Sequence, residues 1–161
     1  VATEKWIAGS GVGLTWTDAF STATLNSIAN GNAILSDLQI DNSTALDMFC
    51  DVSFALGSAA FVAPNFLGLY LYPLNKDGST YGDGRFGSSA AGPPPGNYLV
   101  GTAGLVAATQ AQEGFFSLPG MRAPIIIPPG KFKFVLYNQG GVALAASGNT
   151  CQYRTYNRQV A

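Results

Sequence analysis

The amino-acid sequence predicts an all-β fold, a single-domain antiparallel sandwich or barrel. Three observations carry that prediction. Apolar residues recur with a period of two in short runs, the mark of half-buried strands. Gly, Pro, Asn and Ser punctuate the chain about every ten residues, as turn residues do between strands. No long stretch has helical periodicity. A chain of 161 residues fits one domain and can bury about two thirds of its unfolded surface, enough for one sizeable core.

The clearest strand is "IPPGKFKFVLYNQGG". Pro128, Pro129 and Gly130 break the chain before it, and Asn138 to Gly141 form a turn after it. Phe132, Phe134 and Leu136 fall on one face, with Lys131, Lys133, Val135 and Tyr137 on the other. In "ALDMFCDVSFALGS", Met48, Cys50, Val52, Phe54 and Leu56 alternate with Asp47, Phe49, Asp51 and Ser53, which places both aspartates on a wet face. Two sheets would then pack Phe132, Phe134 and Leu136 against Met48, Val52 and Phe54. "FLGLYLYPL" is a third strand, closed by Pro73.

The other elements follow in chain order. Residues 1–20 read as an N-terminal arm or an edge strand around Trp6, and residues 21–161 as the sandwich. Strand-like runs near Thr24 to Ile28 and Ala33 to Ile40 flank a turn at Asn30 to Asn32. A long loop spans Asn75 to Asn97; loops of this length often carry function. "YLVGTAGLVAAT" is a strand with a glycine bend, "GFFSL" and "APIII" are short strands around "PGMR", and "VALAAS" and "NTCQYRTYN" complete the set.

Composition excludes several classes of function. Charged residues are 11% of the chain, where about 25% is usual. The net charge is −1 and no basic stripe exists, which excludes nucleic acid and a polybasic membrane anchor as partners. Sparse charge has two readings, a surface covered by partners or one dressed in Ser, Thr, Asn and Gln. Val52 to Leu74 carries no charge, but Pro64 and Asn65 divide it into two strands. The opening residues, with Glu4 and Lys5, do not read as a signal peptide. Cys50 and Cys151 read as two buried free thiols, with a single bridge as the other option.

Catalytic and metal chemistry is poorly supplied. The chain has no histidine, which removes the commonest general base and most zinc sites. Asp47 and Asp51 would lie roughly 13 Å apart along a strand, beyond the spacing of glycosidase carboxylates. "GSGVG" lacks the lysine and helix of a phosphate loop. Asn75, Asp77 and Asp83 offer oxygen ligands to calcium without the regular spacing, so a plain turn is expected there. Neither a cofactor nor a metal is expected. Tyr81, Phe86 and Tyr98 in or beside the long loop would stack on sugars, pack the loop down or meet a protein.

Three longer stretches bear a family likeness. They are "LNSIANGNAILSDLQIDNSTALDMFCDVSFAL", "GLYLYPLNKDGSTYGDG" and "IPPGKFKFVLYNQGGVALAASGNTCQYRTYN". Together they resemble the jelly-roll decoration, or cement, proteins outside tailed-bacteriophage capsids, from about Leu25 to Arg158. The motifs are strand-and-turn framework, not catalytic signatures. The resemblance implies an antiparallel jelly-roll-like β-sandwich that runs no reaction. It implies a structural virion protein, made in the host cytoplasm and placed on the outer capsid surface. The implied partners are neighbouring major capsid protein subunits and two sister copies in a homotrimer. Candidate interface residues are Trp6 and Ile7 in the arm and Tyr81, Arg85 and Phe86 in the long loop. The main alternative is a carbohydrate-binding virion module on a capsid or tail surface. A carboxylate-dependent hydrolase and a tail or neck structural protein are further rivals.

Overall fold

The computed structural model describes residues 4–7, 14–63, 65–83, 89–118 and 124–160. Along them run β1 (Glu4–Ile7), β2 (Thr17–Asp18), one helical turn α1 (Thr22–Leu25), β3 (Asn32–Leu35), β4 (Ile40–Asp41), β5 (Phe49–Ala60) and β6 (Phe66–Pro73). They are followed by β7 (Ser89–Ala91), β8 (Leu99–Gly104), β9 (Thr109–Phe115), β10 (Ile125–Ile126), β11 (Lys131–Gln139) and β12 (Thr150–Val160).

These strands form two sheets, and the pairings are antiparallel. In the first sheet β12 and β5 are central. β1 and β2 share the outer side of β12, and β9 and β10 share the outer side of β5. The second sheet runs β7-β3-β11-β6-β8, with β4 beside β3 along β11. β1 with β2, β3 with β4 and β9 with β10 each act as one interrupted strand. Eight strands then remain, apart from the short β7, in the orders 1-8-3-6 and 2-7-4-5. That is the order of a jelly roll, in which paired Greek keys fold back on each other. The protein is therefore an all-β, single-domain jelly-roll sandwich.

The main core lies between the sheets. Cys50, Val52, Phe54 and Leu56 of β5 face Phe132, Phe134 and Leu136 of β11, joined by Leu67, Leu69 and Leu71 of β6. The period-two reading of β5 and β11 places these residues correctly, with one exception. Met48 lies outside the core and is exposed, while Asp47 is buried. Asn42 causes the change. Its Oδ1 accepts from Asp47 N at 2.8 Å and its Nδ2 donates to Asp47 O at 2.8 Å. This clamp turns Asp47 inward just before β5 begins. Asn157 Nδ2 donates to the Asp47 carboxylate at 2.9 Å.

β11 is buried on both faces. Val135 and Tyr137, expected on an open face, join Tyr70, Tyr72 and Ala33 in a second apolar cluster on the outer side of their sheet. The segment after β6 covers that cluster. Tyr98 packs against Tyr72 with ring centroids 4.6 Å apart. Gly82, at φ +57°, lies so close to the Tyr72 ring that a Cβ there would overlap it. The long loop of residues 75–97 thus contains the strand β7 and the start of a 3-10 turn, Gly96–Tyr98. Its turn at Asn75 is closed by Asp77, whose carboxylate accepts from Ser79 N, Thr80 N and Thr80 Oγ1. These bonds hold the Asp77 carboxyl down at about 2.

Three local expectations change. The run from Thr24 to Ile28 is not a strand: Ser21 caps the helical turn α1, and Ser27 reverses the chain at φ 59°. "VALAAS" is not a strand either. Its backbone ties the ends of the sandwich, with Leu144 N donating to Ile28 O and Ser27 N donating to Ala145 O. "GFFSL" divides, with Gly114 and Phe115 ending β9 and Ser117 bridging to Thr102 of β8. Cys50 and Cys151 are both free and buried. The stretch "PGMR" between the two short strands, residues 119–122, lies outside the described residues.

Candidate binding face

The two outer faces of the sandwich differ. The long loop covers the second sheet, but the face of β12 and β5 is open among the described residues. Strand register sets its side chains in rows. The first row crosses four strands: Ile126 is opposite Phe49, Phe49 is opposite Tyr156, and Trp6 of β1 packs beside them. Trp6 meets Tyr156 and Phe49 edge-on, with centroids 5.2 and 6.0 Å away. The second row pairs Asp51 with Arg154, and Arg154 lies over the Trp16 ring at 4.7 Å. The third holds Phe115, Ser53, Gln152 and Asp18.

Asp51 is the polar centre of this face. Arg154 Nε donates to its Oδ2 at 2.9 Å, and Arg154 Nη2 lies 2.8 Å from the same oxygen. The Tyr156 hydroxyl donates to Oδ1 at 2.8 Å. The pair is partly shielded and its charges cancel locally. Burial, then the hydrogen bond and charge of Asp51, push the Tyr156 phenol well above its ordinary value of 10.0. Burial likewise raises the thiols of Cys50 and Cys151 from 9.0.

These shifts predict an alkaline limit on stability. The fold holds the phenol and thiols neutral, whereas the unfolded chain ionises them at their ordinary values. The stabilisation is complete below about pH 9 and is lost as pH rises through the higher folded values. With no histidine, the midpoint of thermal unfolding should change little between about pH 5 and 8 and fall above about pH 9. Calorimetry across that range checks this; a steep change between pH 6 and 7 would contradict it.

A recess of about 790 Å³ opens on this face, lined by Trp6, Leu14, Asp51, Phe115, Arg154 and Tyr156. A second of about 390 Å³ adjoins it across Phe115, with Trp16, Ser53, Glu113 and Gln152. Trp6 is 55% and Phe115 59% exposed, so aromatic surface flanks a polar floor. The arrangement can bind a ligand, with the Asp51 carboxylate and the Tyr156 hydroxyl paired at its centre.

The residues singled out from sequence separate in space. Trp6 lies on this face and Ile7, half-buried, beside it on β1, an edge strand paired with β12. Tyr81 belongs to the loop on the other sheet: its hydroxyl donates to Gln39 Oε1 at 2.5 Å, and Lys133 lies over its ring at 5.2 Å. Arg85 and Phe86 lie outside the described residues. Sequence reading missed Asp51, Arg154, Tyr156, Trp16 and Phe115 as one group. Their only local signal is that Asp51 faces away from the core in a period-two strand. Comparison with known protein families, curated proteins and solved structures finds no match to this chain.

Proposed function

We propose that the chain is a structural virion protein, a capsid decoration or cement protein. It binds outside a phage head across neighbouring major capsid protein subunits and acts as a homotrimer. The observation that best supports this reading is an apolar end on a tightly tied sandwich. Leu46, Met48 and Ile126 are 57%, 56% and 72% exposed. They lie where β5 begins and β10 ends, with Ile127 N bonded to Met48 O. Asn42 ties the two loops together, since its Nδ2 also donates to Pro128 O at 2.9 Å. Leu46 has φ 50°, a left-handed backbone that costs on the order of 1 kcal/mol for a side chain of this kind. Strain that holds a leucine out in water suits a contact surface. Sparse charge suits it too, and many weak copies on one shell add up by avidity.

The test is co-sedimentation with undecorated heads of the phage that encodes the chain. The native chain should pellet with the heads. The double variant Leu46→Asp, Ile126→Asp should bind at least about tenfold more weakly. Its exposed positions leave the fold intact, which circular dichroism checks. Failure of the native chain to pellet would sink the proposal, and equal binding by the variant would exclude this end as the contact.

A further inference from the structure

We propose that the open face of β12 and β5, whose first row ends at Ile126 of the apolar end, is a binding site for a neutral oligosaccharide. Four observations converge. First, the site is a groove of two linked recesses, about 790 and 390 Å³, sizes typical of ligand pockets. Each recess has one indole, Trp6 in the first and Trp16 in the second. A sugar ring presents an apolar C–H face that lies against such rings, and a chain of sugars repeats that face along a groove.

Second, the floor offers donors and acceptors side by side. Arg154 directs Nε and Nη2 at Asp51, which leaves its Nη1 donors for a ligand. Asp51 Oδ1 and the Tyr156 oxygen keep accepting lone pairs, and Ser53 Oγ and Gln152 Oε1 extend the acceptors into the second recess, while the Ser53 hydroxyl donates to Gly114 O and Gln152 Nε2 to Asp18 Oδ1. Adjacent hydroxyls, which both donate and accept, match this array.

Third, the charge balance selects a neutral ligand. Of the described charged residues lining the groove, Asp51 and Arg154 cancel and Glu113 remains. Phosphate, nucleic acid and acidic sugars would meet residual negative charge. Fourth, the polar centre is fixed in advance. Arg154 is held by Asp51 on one side and stacks on Trp16 at 4.7 Å, so little ordering cost falls on binding. Two of the three loop aromatics that suggested sugar stacking in the sequence are engaged elsewhere: Tyr98 packs on Tyr72, and Tyr81 bonds Gln39.

The chain has two tryptophans, and both lie in this groove, so intrinsic tryptophan emission reports from the site. The experiment titrates the full chain with short neutral oligosaccharides of glucose, mannose, galactose or N-acetylglucosamine, up to millimolar concentration. At least one series should give a saturable change in emission. Arg154→Gln and Phe115→Ser should each weaken that binding roughly tenfold, while Tyr81→Phe on the opposite sheet leaves it unchanged. Phe115 is an exposed residue, so its variant tests the site even if Arg154→Gln disturbs the fold. No saturable response from any series overturns the proposal. So does a response that both variants leave unaltered, or one that a parallel titration with sialylated and sulfated oligosaccharides shows to be confined to those. An emission change that follows protein concentration alone, with a rise in mass, assigns the face to a second copy and overturns it as well.

Discussion

Replacing Asn138 with leucine is expected to cost about 3–5 kcal/mol of stability, although the two side chains have similar volume. Asn138 is fully buried at the end of β11. Its Nδ2 donates to Ile28 O and to Val142 O, both at 2.9 Å, and its Oδ1 accepts from Gly140 N at 2.9 Å. One side chain thus joins the turn before β3, the end of β11 and the segment leading to β12. Leucine would fill the space and leave the Gly140 N–H and the Val142 carbonyl without partners. Each orphaned buried group costs about 1–3 kcal/mol. Thermal unfolding should begin roughly 10 °C lower for a chain of this size. Urea denaturation gives the free energy directly, and a loss below about 1 kcal/mol would show that these ends are held by other means.

The second large effect is expected at Phe134. It is fully buried, packs edge-on to Phe132 at 5.6 Å and approaches Tyr153 of the facing sheet at 6.4 Å. Phe134→Ala opens a cavity between two sheets that cannot close without shifting whole strands. The expected loss is about 3–5 kcal/mol. Phe134→Leu keeps most of the volume and should cost less. A similar loss for both variants would mean that the site relaxes and that packing at Phe134 is not what joins the sheets.

The same two residues mark what was legible in the sequence and what was not. Phe134 announces itself, because a period of two sorts core from solvent wherever one face of a strand is wet. The period misleads at Val135 and Tyr137, which are also buried. Their cover comes from Tyr81 and Tyr98 in a distant loop, and alternation along β11 carries no trace of that. Asn138 reads as ordinary turn chemistry, and only the folded chain brings Ile28 and Val142 to its amide. Asp47 reads as a surface residue by its position in the alternation, yet the clamp from Asn42 turns it inward and frees Met48. Short-range polar bonds override the pattern at strand ends, where ladder bonds no longer set the register.

The open face was less legible still. Asp51 and Arg154 are 103 residues apart in sequence and meet because β5 and β12 are neighbours in a jelly roll. Trp6 and Phe115 reach the groove from opposite edges of that sheet. No local motif joins these four residues. By contrast, Trp6 was already singled out as an apolar residue near the surface, and the structure places it more than half exposed on the first row. The apolar end is a further case. Nothing in the sequence around Leu46 or in "APIII" marks Leu46 and Ile126 as exposed. Their exposure follows from the left-handed backbone at Leu46 and from the outward register of Ile126 opposite Phe49.

The proposed decoration role is tested most directly by an electron cryo-microscopy reconstruction of phage heads incubated with the purified chain. The account predicts sandwich density outside the shell, three copies around three-fold positions, with Leu46, Met48 and Ile126 turned toward the capsid. Bare heads, or density on tails alone, would contradict it.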